Sequence, residues 1–220
     1  MVTITPSVSA FQKDSSVLPV SSVVRSRLAR YNTPMREYRV ERVERVFDGH
    51  FKVDEATVAY QKPNGEWSGS TKRLSVERGD AVAVLIHDPS RDALIFVRQF
   101  RYPTAGHGEP FLLEIVAGNV DEGETREAAV AREAHEETGI RIQSSRKVAE
   151  MYGSPGGLSE MITIYTAQGA YGGGGGGLEG EDVEVVTMPT AEALAMMERG
   201  EIHDGKTQIA LLHWALAGKG

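Results

Sequence analysis

Hydrophobic and polar residues alternate along the chain from residue 38 to residue 80, beginning "YRVERVERVFDGHFKVDEATVAY". A period of two is typical of a β-strand that has one buried face. Two segments within this stretch, "FDGH" and "KPNGEW", have the composition of turns between paired strands. The pattern therefore predicts a small antiparallel β-sheet over these residues.

Longer apolar runs follow, and they predict a second, more deeply buried sheet. "DAVAVLIHD" and "ALIFVRQF" are rich in apolar and β-forming residues and are separated by a short turn. "FLLEIVAG" predicts a third strand that ends at Gly118, and "MITIYTAQ" predicts a further strand.

The remaining pattern sets the fold class and the domain organisation. Two C-terminal segments, "TAEALAMMERGE" and "TQIALLHWALAG", predict helices. Because strands and helices are interspersed without strict alternation, we expect an α+β fold whose mixed sheet has helices on both sides. Residues 1–35 are rich in serine and lack periodicity, which predicts a flexible tail. Residues 36–80 would form a small β-domain, and residues 81–220 would form the main domain.

The sequence predicts a further helix between the strands "FLLEIVAG" and "MITIYTAQ". Thr125 is a suitable N-cap for it, and Gly139 can end it. Within it, Ala128, Ala131 and Ala134 recur every three residues, which predicts a narrow stripe for close packing.

This helix carries an unusual density of glutamates. At helical spacing Glu133, Glu136 and Glu137 lie on one face, where like charges repel by a few tenths of a kcal/mol per pair. Two interpretations are open on spacing alone. One is a solvated acidic face, and the other is a site for a divalent cation, which prefers oxygen ligands. Gly118 supports the second, because glycine lets the preceding backbone turn sharply and present a carbonyl.

Composition narrows the chemistry that these residues can perform. The 220-residue chain has no cysteine, which excludes disulfides, a thiolate nucleophile and cysteine-bound zinc. A net charge of −7 argues against sequence-independent nucleic-acid binding and fits a protein that handles metal ions. Because we find neither a signal-peptide pattern nor an apolar run of about 18 residues, we expect a cytoplasmic protein without a membrane or nucleic-acid partner.

The segment "GNVDEGETREAAVAREAHEETGI", residues 118–140, resembles the Nudix box, Gly-x5-Glu-x7-Arg-Glu-U-x-Glu-Glu-x-Gly-U, in which U is bulky and apolar. The matching residues are Gly118, Glu124, Arg132, Glu133, Glu136, Glu137, Gly139 and Ile140. The one departure is Ala134, which is smaller than the usual U residue and suggests tight packing.

The resemblance implies a Nudix α/β/α sandwich, preceded here by the small antiparallel β-domain, and a cation site on the acidic helix. The cofactor would be Mg²⁺, with Mn²⁺ possible. The metal ligands that it implies are Ala117, through its carbonyl, and Glu133, Glu136 and Glu137. The residues that would orient these ligands are Gly118, Glu124 and Arg132. Glu133 and Glu137 would be the principal ligands.

Segments outside the box resemble one branch of the family, the ADP-ribose and GDP-mannose pyrophosphatases. These are "VRQFRYP", "SPGGLSE", "LEGEDVEV" and "GEIHDGKT". The resemblance implies hydrolysis of a nucleoside diphosphate sugar, with ADP-ribose cleaved to AMP and ribose 5-phosphate as the first expectation and GDP-mannose as the alternative. It also implies a homodimer in which residues 36–80 are exchanged between subunits. A nucleotide sensor without catalytic activity is a less favoured reading, as is a pyrophosphatase of oxidised nucleoside triphosphates.

Candidate substrate contacts lie in the same segments. Arg101 is the first choice for a phosphate contact, because a guanidinium can donate two parallel hydrogen bonds to phosphate oxygens. Arg98 and Arg73 are weaker candidates for the same role. Glu160 resembles a residue of the branch's substrate loop.

The general base is expected from a mobile loop after the box, as in that branch. The corresponding segment is "LEGEDVEV", which the chain enters through the glycines 172–177, a tract that we predict to be flexible. Glu181 is the first candidate for the base and Glu179 is the second.

Overall fold

The chain folds into two units in the computed structural model. The structure describes residues 22–25, 36–178 and 182–218. One unit comprises the residues up to 78 together with 156–159, and the other comprises 79–155 and 160–220.

The smaller unit is an antiparallel sheet with the strand order β1-β2-β3-β4. Its strands are β1 Ser22–Arg25, β2 Glu37–Asp48, β3 Lys52–Tyr60 and β4 Thr71–Glu77. The three strands between residues 37 and 77 confirm the sheet that the alternation predicts. Residues 22–25 of the predicted tail form β1, which pairs with backbone groups at the edge of β2. Residues 1–21 and 26–35 lie outside the described residues, so the flexible tail stays a prediction.

The larger unit is built on a seven-stranded mixed sheet. The main path is β11-β6-β5-β10-β9, while β7 pairs with β6 and β8 pairs with β5. The strands are β5 Ala81–Asp88, β6 Ala93–Phe100, β7 Phe111–Glu114, β8 Val116–Asn119, β9 Ser145–Tyr152, β10 Met161–Gln168 and β11 Val183–Pro189. β5 and β10 run parallel, whereas β5 and β6 are antiparallel, so the sheet is mixed as expected.

Helices cover both faces of this sheet. They are α1 Arg126–Thr138, α2 Thr190–Glu198 and α3 Gly205–Ala217. In β5, Val82 and Val84 pack in the cluster that contains α1, whereas Ala83 and Leu85 pack in the cluster that contains α2 and α3. Both faces of the strand are therefore buried, which explains its unbroken apolar run. The predicted α+β fold, with helices on both sides of a mixed sheet, is confirmed.

The apolar run "FLLEIVAG" differs from its prediction, because it forms two strands instead of one. β7 ends at Glu114 and β8 begins at Val116, and the chain moves from β6 to β5 between them. The N–H of Ile115, at the junction, donates a hydrogen bond to Thr207 Oγ1 at 2.8 Å. A side chain of α3 thus satisfies a backbone group at the point where the ladder changes partner.

The buried face of α1 also differs from the predicted alanine stripe. Ala134 is buried, but Ala128 is exposed and Ala131 is only half-buried. Ala129 and Val130 take their place in the core. The reason is geometric: steps of three residues drift around a helix that has 3.6 residues per turn.

The glycine tract makes backbone hydrogen bonds to the rest of the unit, and its flexibility stays a prediction. Gly176 N donates to Glu137 O at 2.9 Å, and Gly177 N donates to Glu136 O at 3.2 Å. The tract therefore lies against the C-terminal end of α1.

Candidate active site

The ends of α1 are fixed by local sequence. Thr125 Oγ1 accepts a hydrogen bond from Ala128 N at 3.2 Å, as an N-cap does. At the other end Gly139 adopts a left-handed conformation, with φ of 72°, and its N–H donates to His135 O at 2.8 Å. Both predicted caps are confirmed, and they fix which turns of the helix carry the glutamates.

The backbone of β8 lies directly against two of these glutamates. A Cβ on Gly118 would be 1.9 Å from Glu133 Oε1, so any other residue here would displace this carboxylate. Ala117 N donates a hydrogen bond to Glu137 Oε2 at 3.3 Å, and Glu137 is only 5% exposed. The structure thus brings together four residues that the sequence analysis had associated.

Arg132 lies at the centre of the acidic face. It donates to Glu133 Oε1 at 2.7 Å, to Glu136 Oε2 at 3.1 Å, and to both carboxylate oxygens of Glu124 at 3.0 Å. It also donates to the carbonyl of Asn119 at 2.9 Å. Its hydrogen bonds to Glu124, the largest influence, raise the pKa of Arg132 and lower the pKa of the Glu124 carboxyl. We call Glu124, Arg132, Glu133, Glu136 and Glu137 the α1 cluster.

The α1 cluster fits a hard divalent cation by its chemistry. Its side-chain acceptors are all carboxylate oxygens, and the carbonyl-bearing backbone of β8 lies beside them. The space beside Gly118 is open to a carboxylate and would be filled by any Cβ. Within the described part of the chain no three His, Asp or Glu side chains already converge on one point as a cation site. Three of the carboxylates instead form ion pairs with the guanidinium of Arg132.

Arg101, the first candidate for phosphate, is held by a buried carboxylate. Its Nε donates to Glu114 Oε1 at 2.7 Å and its Nη2 donates to Glu114 Oε2 at 3.1 Å. Lys206 Nζ contacts the same carboxylate and donates to Asp204 Oδ1 at 2.8 Å. We call Arg101, Glu114, Asp204 and Lys206 the Glu114 network.

The electrostatics of this network follow from burial and pairing. Burial alone would raise the pKa of the Glu114 carboxyl, which is 2% exposed, but Arg101 and Lys206 outweigh burial and lower it. Burial would likewise lower the pKa of Arg101, but Glu114, assisted by the charge of Glu137, raises it. The influence of Glu137 on Arg101 connects the network electrostatically to the α1 cluster. The Arg101 side chain is still 41% exposed, which leaves it accessible from solvent.

The other predicted substrate residues have partners or environments of their own. Arg98 forms a cross-strand ion pair with Glu184 at 3.0 Å. Because side chains alternate across a strand and Val97 packs on the face that α1 covers, Arg98 lies on the opposite face. Arg73 belongs to β4 in the smaller unit and donates to Thr71 Oγ1 at 2.8 Å. Glu160, before β10, is buried at 6% exposure.

The two candidates for the general base, Glu179 and Glu181, lie outside the described residues.

Sequence reasoning missed Glu114, Asp204 and Lys206 as members of the site. One signal was present in the sequence: a single glutamate interrupts the apolar run "FLLEIVAG". A charge in a run that is otherwise suited to the core requires a buried partner. The partners Arg101 and Lys206 are distant in sequence, so spacing alone could not identify them.

Comparison with known proteins agrees with the fold and the site. Residues 77–208 match the sequence profile of the NUDIX domain. A protein from Cronobacter sakazakii named GDP-mannose pyrophosphatase is 40% identical over 152 residues, which cover 67% of this chain and 79% of that protein. Proteins of the same name from Citrobacter koseri and an Enterobacter species are 37% and 34% identical, over 87% and 91% of their lengths.

The chain therefore belongs to the Nudix family of hydrolases. The predictions of Nudix membership and of a Nudix pyrophosphatase are both confirmed. Among the described residues, none of the helices has the length and apolar character needed to cross a membrane.

Proposed function

We propose that the chain hydrolyses the pyrophosphate bond of a nucleoside diphosphate sugar, with GDP-mannose as the first candidate substrate. The observation that carries this proposal is the position of Glu133 and Glu137 against the backbone of Ala117 and Gly118. The names of the relatives favour GDP-mannose. ADP-ribose, the first expectation from sequence, is the second candidate because the same flanking segments resemble enzymes for both substrates.

The proposed cofactor is Mg²⁺, with Mn²⁺ possible. Glu133, Glu136, Glu137 and the Ala117 carbonyl would hold it. When bound, a divalent cation supplies positive charge to the diphosphate oxygens as the phosphorus–oxygen bond breaks. Arg132 partly neutralises Glu133 and Glu136 without a cation, which offsets part of the repulsion on the acidic face.

Arg101 would bind and orient the phosphate. Its pairing with Glu114 through two nitrogen atoms fixes the plane of the guanidinium, so less rotamer entropy is lost when phosphate binds. Lys206 stabilises the Glu114 carboxylate from another side and thereby supports this orientation. Arg98, Arg73 and Glu160 remain weaker predictions for substrate contacts.

The reaction proposed is attack by water on one phosphorus of the diphosphate. The water loses a proton to a carboxylate, for which Glu181 is the first candidate and Glu179 the second. The bond between that phosphorus and the bridging oxygen breaks, so GDP-mannose would give GMP and mannose 1-phosphate.

The smaller unit is proposed to form a homodimer, because it exposes large apolar side chains. Those more than 40% exposed are Val46, Phe47, Phe51, Tyr60 and Leu74. A four-stranded sheet with this surface is stabilised when a second copy covers it. Light scattering of the full chain at micromolar concentration should give the mass of a dimer, and a monomer would contradict the proposal.

A substrate panel tests the function directly. The protein would be incubated with Mg²⁺ and with GDP-mannose, ADP-ribose, ADP-glucose or NADH, and phosphomonoester release would be measured. We expect the highest kcat/KM for GDP-mannose. A higher value for ADP-ribose would reverse the order of the two candidates. Tight binding without release for every compound would favour the nucleotide sensor instead.

A further inference from the structure

The glycines that follow β10 make direct backbone contact with the helix of the α1 cluster. We call Gly173–Gly177 the glycine strap. The N–H groups of Gly176 and Gly177 donate to the carbonyls of Glu137 and Glu136, at 2.9 and 3.2 Å. Carbonyl groups in the last turn of a helix accept no hydrogen bond from the N–H groups of that helix. The strap therefore supplies from about 40 residues away the hydrogen bonds that the end of α1 lacks.

Glycine is required where the two backbones meet. A Cβ on Gly175 would lie 2.4 Å from Glu137 O and 2.5 Å from the Cα of Thr138. These are backbone atoms, which cannot rotate away as a side chain can. On the helix side, a Cβ on Gly139 would lie 3.1 Å from Gly175 N. The contact is thus a close approach of main chain to main chain.

Other contacts hold the strap at both of its ends. Tyr171 donates from its hydroxyl to Gly174 O at 3.2 Å, and Arg91 Nη1 donates to Tyr171 O at 2.8 Å. After the strap, Val183 N donates to Gly176 O at 3.3 Å, at the start of β11. The strap therefore connects the end of α1 to the sheet.

We propose that the glycine strap positions Glu136 and Glu137 for cation binding, and that Gly175 is its positioning residue. The two residues whose carbonyls the strap binds are the same residues whose carboxylates are proposed ligands. Displacing the strap shifts the last turn of α1, and the carboxylates shift with their backbone. This inference rests on the proposed function, because it assumes a divalent cation in the α1 cluster.

A pair of glycine substitutions tests the proposal. Gly175→Ala introduces a Cβ at φ +80°, against the backbone of α1. Gly174→Ala is the matched control: its φ is +103°, so it bears comparable backbone strain, but its Cβ would meet nothing within 4 Å. Mn²⁺ binding would be measured by electron paramagnetic resonance on the full chain without substrate. Substitution of residues that orient metal ligands typically weakens metal binding by about 10- to 100-fold. We expect that loss in Gly175→Ala and a change below about threefold in Gly174→Ala.

Amide hydrogen exchange of the wild-type chain gives a second measurement that needs no variant. Because coupling between two sites is reciprocal, Mn²⁺ should slow exchange of the Gly176 and Gly177 amides. Equal Mn²⁺ affinity in Gly175→Ala and wild type, or exchange in the strap that Mn²⁺ leaves unchanged, would overturn the strap proposal alone. Absence of Mn²⁺ binding by the wild-type chain would overturn both the strap and the proposed cation site.

Discussion

The α1 cluster and the Glu114 network both combine carboxylates with basic side chains, but their charges balance differently. Four glutamates surround one arginine in the α1 cluster, which leaves three negative charges in excess. In the Glu114 network two basic side chains, Arg101 and Lys206, balance two acidic ones, Glu114 and Asp204. The first arrangement is incomplete without added positive charge, whereas the second is complete within the chain.

Because of this difference, the two charged groups affect the stability of the fold in different ways. Excess negative charge destabilises a fold, so binding of the proposed cation would stabilise the α1 cluster. A balanced network stabilises one geometry of its members and loses stability when any member is removed. Substitutions should therefore act mainly on activity in the α1 cluster and mainly on stability at Glu114, Asp204 and Lys206, whereas Arg101 also has the proposed role in phosphate binding.

The largest effect is expected outside both groups, at the general base. The glutamates of the α1 cluster are proposed ligands or partners of Arg132, and Glu114 has two basic partners. The base must therefore come from elsewhere, and Glu181→Gln should lower kcat by about 10²–10⁴-fold with a much smaller change in KM. Glu184→Gln, a nearby exposed residue, is the control. If Glu181→Gln and Glu179→Gln each keep over about half of the wild-type kcat, neither residue is the base.

Loss of one ligand in the α1 cluster should have the next largest effect. Glu137→Gln keeps the side-chain volume but removes a charge, and it should lower kcat by about 10²–10³-fold at saturating Mg²⁺. Glu122→Gln, on an exposed residue within the same box, is the matched control and should stay within about twofold. Steady-state kinetics with GDP-mannose would measure both. Near wild-type turnover in Glu137→Gln would show that this cluster is not the metal site.

In the Glu114 network the expected effect is on stability. Lys206→Met leaves the buried Glu114 carboxylate with one basic partner fewer, which should lower the free energy of unfolding by about 3 kcal/mol. Lys147→Met is the control, since Lys147 forms a half-exposed pair with Glu150 and should cost less than about 1 kcal/mol. Urea denaturation would compare them. Equal losses in the two variants would remove the distinction between a balanced network and a surface pair.

The smallest expected effect is the pH dependence of the unfolding free energy that Lys206→Met loses. The folded protein holds the pKa of Glu114 below its ordinary value of 4.5, so the stabilisation is complete above that pH and is lost as pH falls through the lower, folded value. The difference in unfolding free energy between wild type and Lys206→Met should therefore shrink as the pH falls from 7 towards and below the folded value. A difference that grew on acidification would contradict the assigned ionisation of Glu114.

The parts of the molecule that sequence predicts well are those encoded by neighbouring residues. The caps of α1, the buried strands and the box residues of the α1 cluster depend on periods and spacings within about two dozen residues. The break of "FLLEIVAG" at Ile115 depends instead on which strand lies beside it, and no local period encodes that choice. The predicted alanine stripe differs from the buried face of α1 because steps of three residues drift around the helix, and alanine is small enough to occupy the exposed positions that result.

Sequence spacing could not predict the Glu114 network or the glycine strap, because each brings together residues that are distant in sequence. Arg101 and Lys206 meet at one carboxylate although about one hundred residues separate them in sequence. The strap contacts α1 from about 40 residues away in sequence, and its glycine content alone predicts flexibility. Glycine permits mobility, but it also permits backbones to approach closely, and only the fold determines which of these occurs.

The junction at Ile115, where the chain changes its partner strand, restricts insertions and deletions in this part of the chain. Glu114 belongs to one charged group and Ala117 contacts the other, so the two residues between them, Ile115 and Val116, set their separation. Because side chains alternate across a strand, one inserted or deleted residue here would turn one of the two to the opposite face. We expect an insertion scan to find this short segment among the least tolerant of indels. The number of residues in this segment is thus more constrained than their identities.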